Sequence, residues 1–188
     1  FAIGITFDGG KLESDWLQFY SYAVGTAVVL LWLWDKWVWH WKVVQRWDVV
    51  PRDIRGTWQG TLTSRWIDPE TNQTPPAKPA FLVVRQSASD ATIALITNES
   101  TSKSTLARLR RDAGTSDLDY LYDNRPDNAI EVRSRRHSGS TSLKVIGNPA
   151  TKLKGYYWTD RDSCGDLEFV RRVSDRAEDF EGAEAFFG

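Results

Sequence analysis

The sequence predicts a membrane protein in which an N-terminal transmembrane α-helix is followed by an antiparallel eight-stranded β-barrel. Two observations in the 188-residue chain lead to this fold class. Nineteen consecutive residues, 16–34, carry no charge and have aromatic residues at both ends. After Pro51, short segments of alternating polarity recur at near-even spacing, separated by turn sequences.

The uncharged segment has the length that crossing a hydrocarbon core about 30 Å thick requires. Its terminal tryptophans and tyrosines are typical of the belts found at the two headgroup layers. Lys36, His40, Lys42 and Arg46 follow the segment, and the preceding residues are acidic. The positive-inside bias therefore predicts that the chain after residue 35 is cytoplasmic. A buried core helix is the alternative for this segment.

Five tryptophans crowd the stretch that follows, WLWDKWVWHWK, residues 32–42. No glycine or proline interrupts residues 26–50, so the helix is expected to continue toward Val50 and to stop before Pro51. In a continuous helix Trp34, Trp37 and Trp41 share one face. We expect this stripe to pack against neighbouring helices, with Asp35 close to the contact. The alternative is that Asp35 only ends the span.

Four regions are expected from these patterns: 1–15 as the end of an earlier span with an outer loop, 16–50 as the span and a stalk, 51–173 as a cytoplasmic barrel, and 174–188 as an acidic flexible tail. The barrel region has a net charge of +4, from 19 Lys and Arg against 15 Asp and Glu. This charge suits a small anionic ligand and is too weak to argue for duplex nucleic acid. Cys164 is the single cysteine, so no internal disulfide is possible.

Strand signals fill the barrel region, with alternation clearest in its first segment, DIRGTWQGTLTSRW. An antiparallel meander of eight or nine strands can close into a barrel that holds one small ligand. The predicted strands are 53–66, 80–87, 91–98, a segment near 102–111, 117–124, 129–136, 140–147, 152–159 and 165–172.

Alternation also predicts which side chains face the barrel interior. Three aspartates mark one face of DLDYLYDN as solvated, so Tyr120, Tyr122 and Asn124 are expected to point inward. In LKGYYWTDR, the residues Tyr157, Thr159 and Arg161 share a face. Such groups can stack on a planar ring and pair with a phosphate. Alternation alone nevertheless favours an interior filled by its own side chains, with Arg161 in a salt bridge at the rim.

Catalytic motifs are absent from the sequence. His40 fits an interfacial group and His137 fits a turn, and neither belongs to a metal-binding or nucleophile motif. We therefore expect a binding module without a cofactor, and not an enzyme.

Eight pieces of the sequence follow one another in a recognisable order: the uncharged segment, GTWQG (56–60), Gln86, STSKSTLARL (100–109), LDYLYDNRP (118–126), HSG (137–139), LKGYYWTDR (153–161) and GDLEFVRR (165–172). One piece alone is not specific, since G-x-W-x-G, which GTWQG matches, also opens lipocalin-like barrels. In this order, the pieces resemble a known family, the two-transmembrane, β-strand-rich effectors of CBASS, a bacterial cyclic-oligonucleotide anti-phage signalling system. The resemblance covers roughly residues 16–173. It implies that Phe1–Phe7 end a first span and that DGGKLESD is the outer loop.

The resemblance implies that the barrel binds a cyclic dinucleotide made by a partner enzyme during infection. The occupied protein would self-associate and disrupt the bacterial inner membrane, with its barrel in the cytoplasm. The competing hypothesis is a membrane-anchored, lipocalin-like carrier of an apolar molecule. The implied ligand groove draws on Tyr120, Tyr122, Asn124, Tyr157, Thr159 and Arg161, together with Trp58 and Gln86.

Overall fold

Eight antiparallel strands form a closed barrel in chain order, with the last strand pairing with the first. The computed structural model describes residues 14–47, 50–69, 72–112, 114–126 and 136–188. The predicted eight-stranded barrel is thus confirmed. The strands are β1 (Gly56–Ser64), β2 (Lys78–Gln86), β3 (Ala91–Ile96), β4 (Ser100–Asp112), β5 (Thr115–Pro126), β6 (His137–Ile146), β7 (Lys152–Thr159) and β8 (Cys164–Val173).

The interior of the barrel is packed at one end and hollow at the other. Each strand turns alternate side chains inward, as the pleat requires. The fully buried side chains of Trp58, Leu118, Leu153 and Phe169 belong to the resulting core. We call the packed end, where β1 begins and β8 finishes, the closed end. The other end, where β1 finishes and β2 begins, is the open end.

The predicted membrane-protein fold class was wrong. Among the residues that the structure describes, no helix combines the length and the apolar character needed to cross a bilayer. The helix α1 (Ser14–Lys36) covers the uncharged segment. Its first half contains Gln18, Tyr20, Ser21 and Tyr22, whose polar groups a hydrocarbon core disfavours. The unbroken aliphatic run that remains, 27–31, is far shorter than the roughly 20 residues that a span needs.

The helix also stops earlier than expected. After Lys36 the chain forms a 3₁₀ turn, Val38–His40, and then one turn of helix, α2 (Lys42–Gln45). Trp39 turns under the barrel and is fully buried, with the Arg55 guanidinium 5.2 Å from its ring centre. Burial of this indole against the barrel removes its large apolar surface from water, and this favours the departure from the helical path. The predicted single-face stripe of Trp34, Trp37 and Trp41 is therefore broken.

The last fifteen residues, expected to be a flexible tail, pack against the barrel wall. Helix α3 (Phe180–Ala185) is capped by Asp179, whose side chain accepts a hydrogen bond from the Gly182 N–H. The Phe187 ring stacks on the outward-facing ring of Phe81 at 5.9 Å. The tail is held because the outer face of β2 is apolar and needs a cover.

Two predicted segments lie outside the described residues. They are the remnant of an earlier span, Phe1–Phe7, and the strand 129–136, of which only Arg136 is described.

Candidate functional site

A cavity of about 450 Å³ opens at the open end of the barrel. This volume falls in the range of small-molecule sites. Seven of its lining side chains carry hydroxyls of serine or threonine, and these lie among aromatic, aliphatic and proline side chains, so the wall is of mixed polarity. The lining residues are Leu62, Ser64, Trp66, Pro75, Pro76, Lys78, Leu95, Thr97, Glu99, Ser100, Ser102, Tyr122, Asn124, His137, Thr141, Tyr157, Thr159, Arg161 and Ser163.

Asn124 is held in one orientation by its neighbours on adjacent strands. The Ser102 hydroxyl donates a buried hydrogen bond of 2.8 Å to Asn124 Oδ1. This leaves the amide nitrogen to donate toward His137 Nδ1, at 3.5 Å. Ser102, Asn124 and His137 thus form one connected group of polar side chains at the mouth of the cavity.

The turn between β7 and β8 fixes the second group of predicted residues. The Thr159 and Ser163 hydroxyls are 2.7 Å apart, and the Thr159 N–H donates to the Ser163 carbonyl at 2.9 Å. The backbone N–H of Arg161 donates to Thr159 Oγ1 at 3.2 Å. A short turn tied at both ends holds Arg161 at the rim of the cavity.

Each cavity tyrosine lies over a glycine on the neighbouring strand. Tyr122 is paired with Gly139, and Tyr157 is paired with Gly165. A Cβ at Gly165 would lie 2.6 Å from Cε1 of the Tyr157 ring. Because side chains at these positions would push the rings aside, the glycines give the tyrosines their place in the wall.

The tyrosines of the interior are neutral hydrogen-bonding groups. Burial raises the pKa of Tyr120 to about 12, an effect that the nearby Thr141 hydroxyl partly offsets. Burial also raises the pKa of Tyr122 and of Tyr157. An apolar environment disfavours the phenolate, so these rings can stack or donate without adding negative charge to the cavity.

Two buried hydroxyls lie near each other without a well-formed hydrogen bond. Within the described residues, neither Tyr120 Oη nor Thr141 Oγ1 has a hydrogen-bond partner of good geometry. Thr141 lines the cavity and is 1% exposed. A buried polar group without a partner costs free energy, so Thr141 marks a point where a polar ligand or water fits.

Five of the eight predicted ligand residues meet at this cavity: Tyr122, Asn124, Tyr157, Thr159 and Arg161. Tyr120 lies beside them but deeper, in the packed core. The structure does not bring Trp58 or Gln86 to the cavity.

Trp58 and Gln86 lie instead at the closed end, where they hold the chain that leads into β1. The Trp58 indole donates to the Ile54 carbonyl at 2.8 Å. Gln86 accepts from the Ile54 N–H at 3.0 Å and donates to the Arg52 carbonyl at 2.9 Å. By bonding one backbone N–H and one backbone carbonyl of the segment that precedes β1, the Gln86 amide has a structural role.

Several lining residues escaped the sequence reasoning. Ser102 pairs directly with Asn124, so the β4–β5 register would have revealed it. The β2–β3 register, extended beyond Phe81 and Ile96, places Lys78 opposite Glu99 at the open end. Trp66, Pro75 and the other loop residues follow no alternating pattern, and the sequence holds no signal for them.

Asp35 joins the helical arm to the barrel at the closed end. Its carboxylate accepts hydrogen bonds from the Ser89 N–H at 2.9 Å and the Ser89 hydroxyl at 2.6 Å. Its backbone carbonyl accepts from the Ala88 N–H at 3.1 Å. The Ser89 hydrogen bond lowers the pKa of Asp35 to about 2. We call this contact between Asp35 and the β2–β3 turn the clasp. The proposed helix–helix contact of Asp35 stays a prediction.

Residues 16–47, which comprise most of α1 and the turns after it, hold 15 of the 24 large apolar side chains that are exposed among the described residues. Trp34, Trp37 and Trp41 are all partly or largely exposed, and the rings of Trp32 and Trp37 meet edge to face at 5.6 Å. No described residue of the barrel covers this surface.

Comparison with known proteins identifies the family of the barrel. The model of one family, described as the Cap15 cyclic dinucleotide receptor domain, matches residues 49–171. The chain belongs to the Cap15 receptor-domain family. It is also similar to the CD-NTase-associated protein 15 of Staphylococcus schleiferi, with 28% identity over 159 residues. That alignment spans 85% of this chain and 82% of the relative.

Membership of the Cap15 receptor domains confirms the resemblance to CBASS effectors and, with it, a CBASS-related role in cyclic dinucleotide sensing. The family model begins at residue 49 and ends at residue 171, close to the bounds of the barrel. The assignment does not extend to the two transmembrane helices that the resemblance implied.

Proposed function

We propose that the barrel is the receptor of this chain for a cyclic dinucleotide and that the ligand binds in the open-end cavity. The observation that carries the proposal is the composition of the wall. Aromatic rings, two cationic side chains and the unpartnered Thr141 hydroxyl converge on one cavity.

Each part of a cyclic dinucleotide has a counterpart in this wall. Tyr122, Tyr157 and Trp66 offer ring faces for the two bases. Lys78 and Arg161 offer charge to the two phosphates, and a guanidinium can bind a phosphate through two parallel N–H groups. Asn124 and His137 offer directed polar groups for base edges or ribose hydroxyls.

The side chains of the same cavity wall disfavour the competing function, a carrier of an apolar molecule. An apolar ligand would bury the hydroxyls of Ser102, Thr141 and Thr159 against hydrocarbon. Such burial costs free energy wherever a hydroxyl has no partner, as at Thr141.

We further propose that α1 transmits the signal by self-association and by disrupting a membrane. Support comes from its exposed aromatic and aliphatic side chains, because an apolar surface of this kind favours another copy or a lipid interface. Location at the bacterial inner membrane, with the barrel in the cytoplasm, stays a prediction that cell fractionation can test. Dye leakage from liposomes, measured with and without ligand, tests the disruption itself.

Titration calorimetry of the full chain tests the ligand assignment. The probes are cyclic di-AMP, cyclic di-GMP and cyclic GMP–AMP. We expect at least one to bind and Arg161→Ala to weaken that binding by about 10- to 100-fold, since a charge-assisted hydrogen bond is lost. Arg110→Ala is the matched control, because Arg110 pairs with Asp119 on the outer wall at 2.6 Å. Binding of fatty acids with none of the three probes would contradict the proposal.

A further inference from the structure

An ion pair lies across the mouth of the cavity, and it includes a carboxylate in a site proposed to take an anion. Lys78 is the first residue of β2, and Glu99 lies at the tip of the turn between β3 and β4. Lys78 Nζ is 2.6 Å from Glu99 Oε2, and both residues line the cavity.

Glu99 is a negatively charged residue in the lining of a cavity that is proposed to bind an anion. Among the described lining residues it is the one carboxylate, in a lining that also holds the cations Lys78 and Arg161. A carboxylate beside a phosphate site repels the ligand and occupies the ammonium that the ligand would use. Stability does not account for its presence, because the two side chains are 35% and 41% exposed and exposed pairs contribute little.

We propose that Glu99 competes with the ligand for Lys78, so that only an anion able to displace it gains full affinity. This inference rests on the proposed function of the cavity. In the empty barrel the Lys78 ammonium is paired with Glu99. When a cyclic dinucleotide enters, the N–H···O bond to the carboxylate breaks and an N–H···O bond to a phosphate forms, without proton transfer.

The position of Glu99 suits this exchange. Its side chain is on a hairpin tip and already meets solvent, so the released carboxylate is hydrated at once. The cost of opening the pair is small, because water replaces the lost contact. A neutral ligand offers the ammonium no replacement and leaves the pair closed. The pair therefore selects for phosphate at this side of the mouth.

Removing the carboxylate and removing the ammonium must then have opposite effects. We expect Glu99→Gln to bind the cyclic dinucleotide about 3- to 10-fold more tightly, since Lys78 is no longer occupied. Lys78→Gln is expected to bind about 10-fold more weakly, since a charge-assisted contact is lost. In the double variant, Glu99→Gln should add little, because the lysine for which it competes is absent.

A second ion pair of the same residue types provides the control. Lys152 Nζ lies 2.6 Å from Glu168 Oε1 on the outer wall, with exposures of 33% and 38%. Glu168→Gln and Lys152→Gln should leave affinity unchanged. The test is titration calorimetry of the full-length variants with the same three probes, after thermal melting has shown that each variant is folded.

The outcomes separate the two proposals. If the wild type binds a probe while Glu99→Gln and Glu168→Gln behave alike, the competition by Glu99 is refuted and the receptor function stands. Weaker binding by Glu99→Gln also refutes it, since Glu99 would then contact a donor of the ligand. If no variant binds any probe, the proposed function fails and this inference fails with it.

Discussion

Two buried threonines of the barrel differ in whether their hydroxyls have partners. Thr57 Oγ1 donates to the Asp175 carbonyl at 2.7 Å and accepts from the Ala177 N–H at 3.0 Å. Thr141 Oγ1, equally buried, has no partner within the described residues. The difference separates a hydroxyl that holds the fold from one that is available to a ligand.

Replacing each threonine with valine, which has the same shape, tests this difference. We expect Thr57→Val to lower the free energy of unfolding by about 1–3 kcal/mol, since it leaves the buried groups of 175–177 unpaired. Thr141→Val should change it by less than about 1 kcal/mol and weaken cyclic dinucleotide binding by about 3- to 10-fold. Urea denaturation and calorimetry measure the two quantities. Equal stability losses in both variants would show that Thr141 has a structural partner.

Among the elements, α1 is joined to the barrel through the clasp, in which the Asp35 carboxylate carries a negative charge. Hydrogen bonding by Ser89 gives Asp35 a pKa of about 2 in the folded protein, against 3.8 for the free side chain. Because the folded value is the lower one, the contribution of Asp35 to docking is complete above about pH 4. It is lost as the pH falls from about 4 to about 2.

Hydrogen exchange of the Ala88 and Ser89 amides across this range tests the clasp. We expect their protection in the wild type to fall between pH 4 and pH 2, whereas Asp35→Asn should show weaker protection with no such step. Asp90→Asn, on the same turn, serves as the control and should follow the wild type. A wild-type profile without a step between pH 4 and pH 2 would mean that the carboxylate does not hold the turn.

Strands with one polar and one apolar face were predictable from their alternation. In β5, the aspartates on one side fixed the inward direction of Tyr120, Tyr122 and Asn124, and all three are buried. The helix was harder because an uncharged, aromatic segment fits a bilayer, a protein core or an exposed arm equally well by pattern. Its end at Lys36 depends on contacts with Ser89, 54 residues away, which no local pattern encodes.

For the whole molecule, the main feature is that the open-end cavity and the base of α1 lie at opposite ends of one barrel. Gln86 illustrates how sequence order misleads here. The family resemblance implied that Gln86 contacts the ligand, but β2 carries it to the closed end, where it bonds the backbone of Arg52 and Ile54. Lys78, at the other end of the same strand, lines the cavity. The two roles differ because one end of β2 lies at the cavity and the other does not, and the sequence does not show which end that is.

Gln86→Ala should therefore affect stability and binding differently. We expect the free energy of unfolding to fall by about 1–3 kcal/mol, since Ile54 N–H and the Arg52 carbonyl lose their partner. Affinity for a cyclic dinucleotide should stay within about twofold of the wild type. Gln59→Ala is the matched control, because Gln59 accepts an exposed hydrogen bond from Arg171. Its stability should change by less than about 0.5 kcal/mol. Weaker binding by Gln86→Ala at unchanged stability would instead indicate that Gln86 contacts the ligand.

The clasp lies at the C-terminal end of the long helix α1. With 23 residues at 1.5 Å each, α1 extends about 34 Å from its base. A rotation of about 10° at Asp35 would move the far end by about 6 Å, more than one helical turn. A movement of the β2–β3 turn that rotated α1 as a rigid body would therefore give its largest displacement at the end of the helix farthest from Asp35.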